Sequence, residues 1–396
     1  MSTIRLVIPD QSLHLRLMGR LTADQFAEGQ YVDAFCDNYI SNSHYDWQVS
    51  RLMFDGDQLV HHWGVWGYQM RLESIQLKVG GIGAVVTHPD YRKQNLMHDA
   101  ADASFAAMHQ HGYDLSILRG RHYVKMGYAR AWNYVTYRFK LEDFPIDEPV
   151  PVYESLQLQE VQEMDALYNQ AHASFTGTAI RPTFYNKHPE DVWAYGWRDD
   201  KGFLTGYVRA APSEEDAKTL VCLEAVGNPQ QALAVLTDLF HKGEYEKITC
   251  FTLPHQQSLL QYLRLGNCIE ENRYFEVSGW RVKIINLDST LQKLIALLEN
   301  RLAQSQFADW KGTLLLDAGD KSSVITITNG KIRLGAETSS PNILHAGAAL
   351  SRLLIGSDEP DEIIRQEGMH CSGIAQELVC VLFPNLYPMM SHWDEY

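Results

Sequence analysis

The chain is poor in positive charge. Lysine and arginine total 34 against 49 aspartates and glutamates, a formal net charge of −15 over 396 residues. A protein that grips a polyanion needs a basic footprint, so neither nucleic acid nor an anionic membrane surface is an expected partner. The balance favours a cationic small molecule or a basic peptide, although acidity also serves solubility alone. Long apolar runs are missing as well. No stretch approaches the roughly 20 residues that span a bilayer, and the opening "MSTIRLVIPD" has no basic segment followed by an apolar core, so no secretory signal is expected. The six cysteines (Cys36, Cys222, Cys250, Cys268, Cys371, Cys380) show no CxxC spacing. They read as reduced thiols of a cytoplasmic protein, with no metal site.

What is present is a repeated order of elements. "DWQVSRLMFDGDQLVHHWGVWGYQMRLESIQLKVGGIGAVVT" alternates apolar and polar residues and predicts consecutive strands with a turn at Asp55-Gly56-Asp57. A helix is expected from about Leu96 to Gln110, then a strand at Tyr113–Leu118, a short segment and the strand-like "NYVTYRFK". This is a mixed sheet with a helix laid across it. The Pro- and acid-rich "DFPIDEPVPV" reads as a linker. A second unit repeats the order, with "TLVCLEAVGNPQQALAVLTDLF" as strand, turn and helix, Asn228 as N-cap and Pro229 at the first helical position. A third begins near Asn286 with an amphipathic helix through Leu291, Leu294 and Leu298, a hairpin at Asn329-Gly330 and two later helices. The expected segments are 1–143, 150–284 and 285–396.

The loop in "VVTHPDYRKQNLMHDAADASFAAM" decides the function class. A helix N-terminus offers free N–H groups and a positive dipole end to phosphate, and Arg92 and Lys93 add charge just before it. Glycine would let a phosphate come closer, and here Asn95 and Met97 stand instead. The same residues would also suit a plain solvated helix start. The equivalent loop of the second unit, "VGNPQQAL", carries no Arg or Lys and predicts a cofactor site that has decayed.

"HPDYRKQNLM" resembles the signature of the GCN5-related N-acetyltransferases (GNAT), an Arg/Gln-x-x-Gly-x-Gly/Ala loop that wraps the pyrophosphate of acetyl-CoA. Arg92 matches, Asn95 takes the place of the first glycine and Met97 that of the second small residue. The order of units, with "GWRVKIINL" and the acidic-aromatic C-terminus, resembles the enhanced intracellular survival (Eis) branch across essentially the whole chain. The resemblance implies an α+β fold: tandem GNAT-like mixed-sheet domains, the second with a degenerate cofactor site, followed by a unit like sterol carrier protein 2 (SCP2). It implies that Val85, Val86 and Thr87 hold the pantetheine arm and that Arg92, Lys93, Gln94, Asn95, Leu96, Met97 and His98 hold the pyrophosphate. It makes Tyr123 the acid, and the C-terminal carboxylate of Tyr396 the base, for direct transfer in a ternary complex to an aminoglycoside-type amine. Phe26, Asp33 and Glu395 are the expected acceptor contacts, with Asp394 adding negative field beside Glu395. Tyr128 is expected in the core, His122 and His392 are alternative bases, and a homo-oligomer, including a hexamer, fits the branch. Two rivals remain: a lysine or polyamine acetyltransferase, and a catalytically impaired lipid- or small-molecule-binding protein using the SCP2-like unit.

Overall fold

A computed structural model describes residues 4–144, 149–183, 193–335 and 339–394. The strands of the first two units are β1 (Ile4–Val7), β2 (Arg51–Asp55), β3 (Gln58–Leu72), β4 (Ile75–Thr87), β5 (Leu115–Arg119), β6 (Ala129–Arg130) and β7 (Tyr134–Phe139). They continue with β8 (Tyr153–Ser155), β9 (Trp193–Arg198), β10 (Leu204–Pro212), β11 (Thr219–Val226), β12 (Lys247–Phe251), β13 (Cys268–Arg273) and β14 (Trp280–Ile284). Two seven-stranded sheets result, in the orders β1-β2-β3-β4-β5-β14-β6 and β13-β7-β12-β11-β10-β9-β8. The two units therefore exchange their last strands. β14 pairs antiparallel with β5, Trp280 opposite Arg119, while β7 pairs with β12, Phe139 opposite Ile248. Alternating apolar residues announce a strand without naming its neighbour, so segments 1–143 and 150–284 each show a complete set of strands although neither sheet is built from one segment.

The Leu96–Gln110 helix has the expected bounds and buries Leu96, Ala100, Ala101, Ser104, Ala107 and Met108 along one face. Its alanines let it lie close to the sheet, and Gly80 of β4 leaves room for Met108, whose Cε would stand 2.4 Å from a Cβ at Gly80. The third unit has a five-stranded sheet from β15 (Gly312–Asp317), β16 (Ser322–Thr328), β17 (Lys331–Leu334), β18 (Ile343–His345) and β19 (His370–Cys371), in the order β17-β16-β15-β18-β19. The hairpin stands as expected, with Asn329 and Gly330 both at positive φ between β16 and β17. The Leu287–Ala303 helix buries Leu291, Leu294, Leu298 and Leu302 in one core with Trp66, Val79 and Trp280 of the first sheet. Buried Asp114 bolts the two units together by accepting from Lys78 N at 2.7 Å, Ser289 Oγ at 2.9 Å and Lys293 Nζ. Among the described residues no helix is long and apolar enough to cross a membrane.

Candidate active site

β4 and β5 run parallel but pair only over Val79–Gly81 and Leu115–Ile117. Beyond Gly81 the strands part, and β4 continues to Thr87 with its second edge open. Ala84 lies at φ +45 where the β3–β4 register slips, opposite His62 to Gly64. This bulge re-aims the strand next to the gap, a common device beside active sites. Val85, Val86 and Thr87 thus carry backbone groups that a linear amide chain can reach.

The strand leads to His88-Pro89-Asp90 and then to the loop that opens the Leu96–Gln110 helix, the candidate anion cradle. Lys93 and Asn95 both take left-handed backbone, φ +64 and +65. Asparagine tolerates this region better than other residues with a Cβ, so the glycine-type loop survives without glycine. Asn95 makes no cap bond with its side chain, which turns instead to Asp99 at 3.2 Å. The backbone N–H groups of Lys93, Gln94, Asn95, Leu96 and Met97 find no acceptor among the described residues. Five successive free donors at a helix start form the kind of nest that holds phosphate oxygens. The Met97 side chain is half-buried and packs on the core cluster that holds Trp63 and Leu96. Arg92 is turned away, donating to Gln25 Oε1 at 2.7 Å. His98 is already bonded back to Asn95 O through its N–H, so its backbone is not a cradle donor.

Tyr123 sits in a 3₁₀ segment, Arg121–Met126, that follows β5. Its ring meets Trp63 edge-on at 6.0 Å and Tyr128 at 6.3 Å, and burial pushes its pKa up to about 12. Tyr128 is a core residue as expected, 1% exposed with its hydroxyl 2.6 Å from Ser116 Oγ. Two neighbours were not legible in the sequence. His61 Nδ1 stands 2.8 Å from Thr87 Oγ1, and His62 Nε2 stands 2.8 Å from the Tyr45 hydroxyl. Both rings are wholly buried, which lowers their pKa values to about 4 and about 3. Their one sequence signal is a His-His pair inside an alternating apolar strand.

On the opposite face of the sheet, Trp66 packs against Tyr39 and Tyr45 with centroids 4.6 and 5.2 Å apart. A Cβ at Gly83 would lie 2.7 Å from the Tyr39 hydroxyl and 2.9 Å from Trp66, so the open strand touches these rings directly. They lead to a cleft of 540 Å³ between the first two units, lined by Tyr45, Asp46, Trp47, Tyr68 and Ile180. Neither Phe26 nor Asp33 lines it. Phe26 is 63% exposed one residue past Gln25, at the mouth of the cradle, and the Asp33 carboxylate is an exposed partner of Arg16.

Glu395 and Tyr396 lie outside the described residues. The tail before them is anchored deep in the second unit. Asp394, fully buried, accepts from Arg181 Nε at 3.0 Å and Nη2 at 3.1 Å, and Tyr168 donates to it at 3.3 Å. Its charge is thus paired with a buried guanidinium rather than turned to solvent. Asp394 still lies close enough to Tyr68 for its charge to add to burial in raising that phenol's pKa.

Residues 28–131 match a sequence model described as an acetyltransferase (GNAT) domain. The chain thus carries a GNAT-type acetyltransferase domain over these residues. Its whole-chain fold is Eis-like: Eis1 from Mycobacterium abscessus superposes with a TM-score of 0.68 at 14% identity over 99% of both chains. A conserved protein from Enterococcus faecalis V583 gives 0.74 at 17% over 99% of both, and a GCN5-related N-acetyltransferase from Kribbella flavida gives 0.71 at 16% over 100% of this chain and 99% of the other. No curated protein sequence matches the chain.

Proposed function

We propose that the protein transfers an acetyl group from acetyl-CoA directly to a primary amine of a polycationic small molecule. The observation that carries the donor half is the run of five unpaired N–H groups at the end of an open strand, with Tyr123 on the same apolar cluster. Lys93 to Met97 fit a pyrophosphate and Val85 to Thr87 fit the pantetheine arm. The donor, when bound, supplies an activated acyl group and a thiol leaving group; no metal enters the scheme.

The acceptor half rests on the cleft, where Asp46, which accepts from the Tyr113 hydroxyl at 2.7 Å and from Gln48 N at 3.0 Å, stands with Lys78 among the rings of Tyr45, Trp47 and Tyr68; those rings suit an alkylammonium. The overall charge of −15 draws cations toward it. The amine must lose a proton, which the C-terminal carboxylate of Tyr396 takes, with Glu395 beside it. Two residues beyond Asp394 reach at most about 7 Å, so the Arg181 anchor sets where that carboxylate works. A proton must also be offered to the departing sulfur, and Tyr123 offers it from its phenol oxygen. With its pKa near 12, Tyr123 is protonated throughout the neutral range. Complete transfer to an ordinary thiolate, pKa ~8.5, is uphill by about 5 kcal/mol. Tyr123 therefore works mainly as a hydrogen-bond donor that stabilises charge as it develops. The third unit, with a sheet covered by helices, is read as SCP2-like, and its role here is to carry the tail back across the second unit.

Titration calorimetry with acetyl-CoA on untagged protein tests the donor half, and amine-dependent release of free thiol tests the reaction. Micromolar binding with thiol release on kanamycin-like amines is expected. Absence of binding at millimolar acetyl-CoA would overturn the proposal in favour of a small-molecule carrier.

A further inference from the structure

A second cavity, of 260 Å³, lies between the first and third units. It is lined by Met126 and Gly127, by Lys283 of β14, and by Lys321, Asp320, Gly347 and Ala348 of the third unit. It is not the cradle. The Lys283 ammonium is 5.3 Å from the ring of Phe105, which lies nine residues beyond the cradle's Leu96, about 13 Å along the helix.

Its chemistry is cationic within a strongly acidic protein. Lys283 is partly buried, and burial lowers its pKa, yet it makes no ion pair among the described residues. The one carboxylate in the lining, Asp320, is paired with Lys321 at 3.3 Å. Lys321 also donates to the carbonyls of Ile284 and Ile285, at 3.0 and 3.4 Å, which fixes its ammonium at the cavity wall. The N–H groups of Gly347 and Ala348 find no acceptor among the described residues, and Gly347 takes φ +55. Two ammonium groups, one carboxylate and two free N–H donors leave the lining with net positive charge and unspent donors. Lys283 has the Phe105 ring and the more distant charges of Asp320 and Asp102 but no carboxylate in contact; an ammonium drawn out of water in this way is costly, and an anion in this cavity lowers that cost.

We infer that this cavity is a second anion site, separate from the acetyl-CoA cradle, that takes a phosphate-type dianion. It is placed to act on catalysis. Met126 and Gly127 close the segment that carries Tyr123, and Lys283 stands opposite Ser116 of β5, one of the strands that part to form the gap. A bound dianion ties this segment, β14 and the third unit's Gly347 turn to one another.

Hydrogen exchange measured by mass spectrometry tests the inference without relying on turnover. The full chain is saturated with coenzyme A, so that the cradle is filled, and inorganic phosphate is compared with chloride at equal ionic strength. Severalfold slower exchange is expected in peptides covering residues 124–128 and 346–350, lost in Lys283→Met and kept in Lys93→Met. If Lys283→Met fails to fold, Ala348→Glu, which puts a carboxylate into the cavity, must abolish the effect instead. No slowing, slowing confined to residues 92–99, or slowing that survives the Lys283 and Ala348 substitutions alike would overturn the inference. A result in which coenzyme A fails to bind would count against the proposed function and leave the phosphate comparison readable on the same peptides.

Discussion

The two acetyltransferase-like units use one asparagine in opposite ways. In the first, Asn95 bends the backbone into the left-handed region and leaves five N–H groups open. In the second, Asn228 has extended backbone and its Oδ1 accepts from Gln230 N and Gln231 N at 2.8 and 3.3 Å, while Pro229 has no N–H to offer. One helix start is open to a ligand and the other is filled by its own side chain. The strands before them differ in parallel fashion. β11 pairs with β12 only as far as Cys222, as β4 pairs with β5 only as far as Gly81. Two residues on, the first unit has Gly83 and the second has Glu224. Where Gly83 admits aromatic rings, Glu224 holds a buried network: Arg181 at 2.9 Å, Arg209 at 3.2 Å, the Tyr207 hydroxyl at 2.7 Å and Ser391 of the tail at 3.0 Å. Where the first unit has a gap between strands, the second has a clamp on the C-terminal tail. A duplicated fold keeps its strands because they build the core, whereas the donors at its open end are free to be reassigned.

The hardest blow to the first unit alone is Tyr123→Phe. Loss of a positioned hydrogen-bond donor to developing charge costs about 10²–10³-fold in kcat, and the KM for acetyl-CoA is expected to hold, because the substitution leaves the Lys93–Met97 loop untouched. Steady-state kinetics decide it; an unchanged kcat removes Tyr123 from the mechanism. The hardest blow to the second unit is Glu224→Gln. Arg209 then loses the carboxylate it is paired with and Arg181 keeps only Asp394 in ion-pair contact among the described residues, all four side chains being 4% exposed or less. Breaking a buried ion network from one side costs about 3–5 kcal/mol, read as a fall in the unfolding midpoint. If the clamp serves the tail, kcat falls as well while acetyl-CoA affinity is kept. A loss of stability with unchanged kcat would reduce the network to scaffolding.

Acid separates the units by a smaller effect. His61 and His62 in the first unit have folded-state pKa values lowered by burial to about 4 and about 3, and His172 in the second is lowered to about 4, all from 6.5. The unfolded chain therefore binds more protons than the folded chain below pH 6.5, and stability is lost as pH falls from there toward 4. At pH 5 each such histidine costs about 2 kcal/mol. With two of them behind the open strand, the first sheet is expected to open before the second, as hydrogen exchange across pH 7 to 5 would show. Equal opening of both sheets would mean that the His61–Thr87 and His62–Tyr45 contacts adapt to the charged rings.

Local rules made part of this legible. The Leu96–Gln110 helix, the Asn228-Pro229 cap and the Asn329-Gly330 hairpin each follow from a few neighbouring residues, and all three stand in the structure. The loop was readable as an anion site from Arg92, Lys93 and the helix start, but the use of Asn95 was not, since left-handed backbone is a choice the residue only permits. Long-range partners were silent. β7 and β14 alternate like any strand and nothing in them declares the exchange. Arg181, Glu224 and Asp394 lie up to 213 residues apart, so Asp394, beside Glu395 in an acidic-aromatic tail, read as negative field for an acceptor and gave no sign of its buried partner. The cleft proposed for the acceptor gathers Tyr45, Asp46, Tyr68 and Ile180 from separate segments, whereas Phe26 and Asp33, expected there as aromatic and acidic residues of the early segment, do not line it.

The finest test of the comparison exchanges the roles of the two asparagines. A β-branched residue resists left-handed backbone by about 1–2 kcal/mol, so Asn95→Val should leave the free protein's loop in another conformation that acetyl-CoA must rebuild. Calorimetry is then expected to show roughly 10-fold weaker binding with little change in stability. Asn95→Gly carries no such strain and should bind as tightly as the parent or a few-fold tighter. At the second cap the order of effects reverses. Asn228→Ala loses the side-chain acceptor for Gln230 and Gln231 and costs about 1 kcal/mol of stability, with acetyl-CoA affinity unchanged. If instead Val and Gly at position 95 bind alike, the left-handed turn is not what keeps the cradle open, and the five N–H groups must owe their freedom to the way β4 delivers the chain.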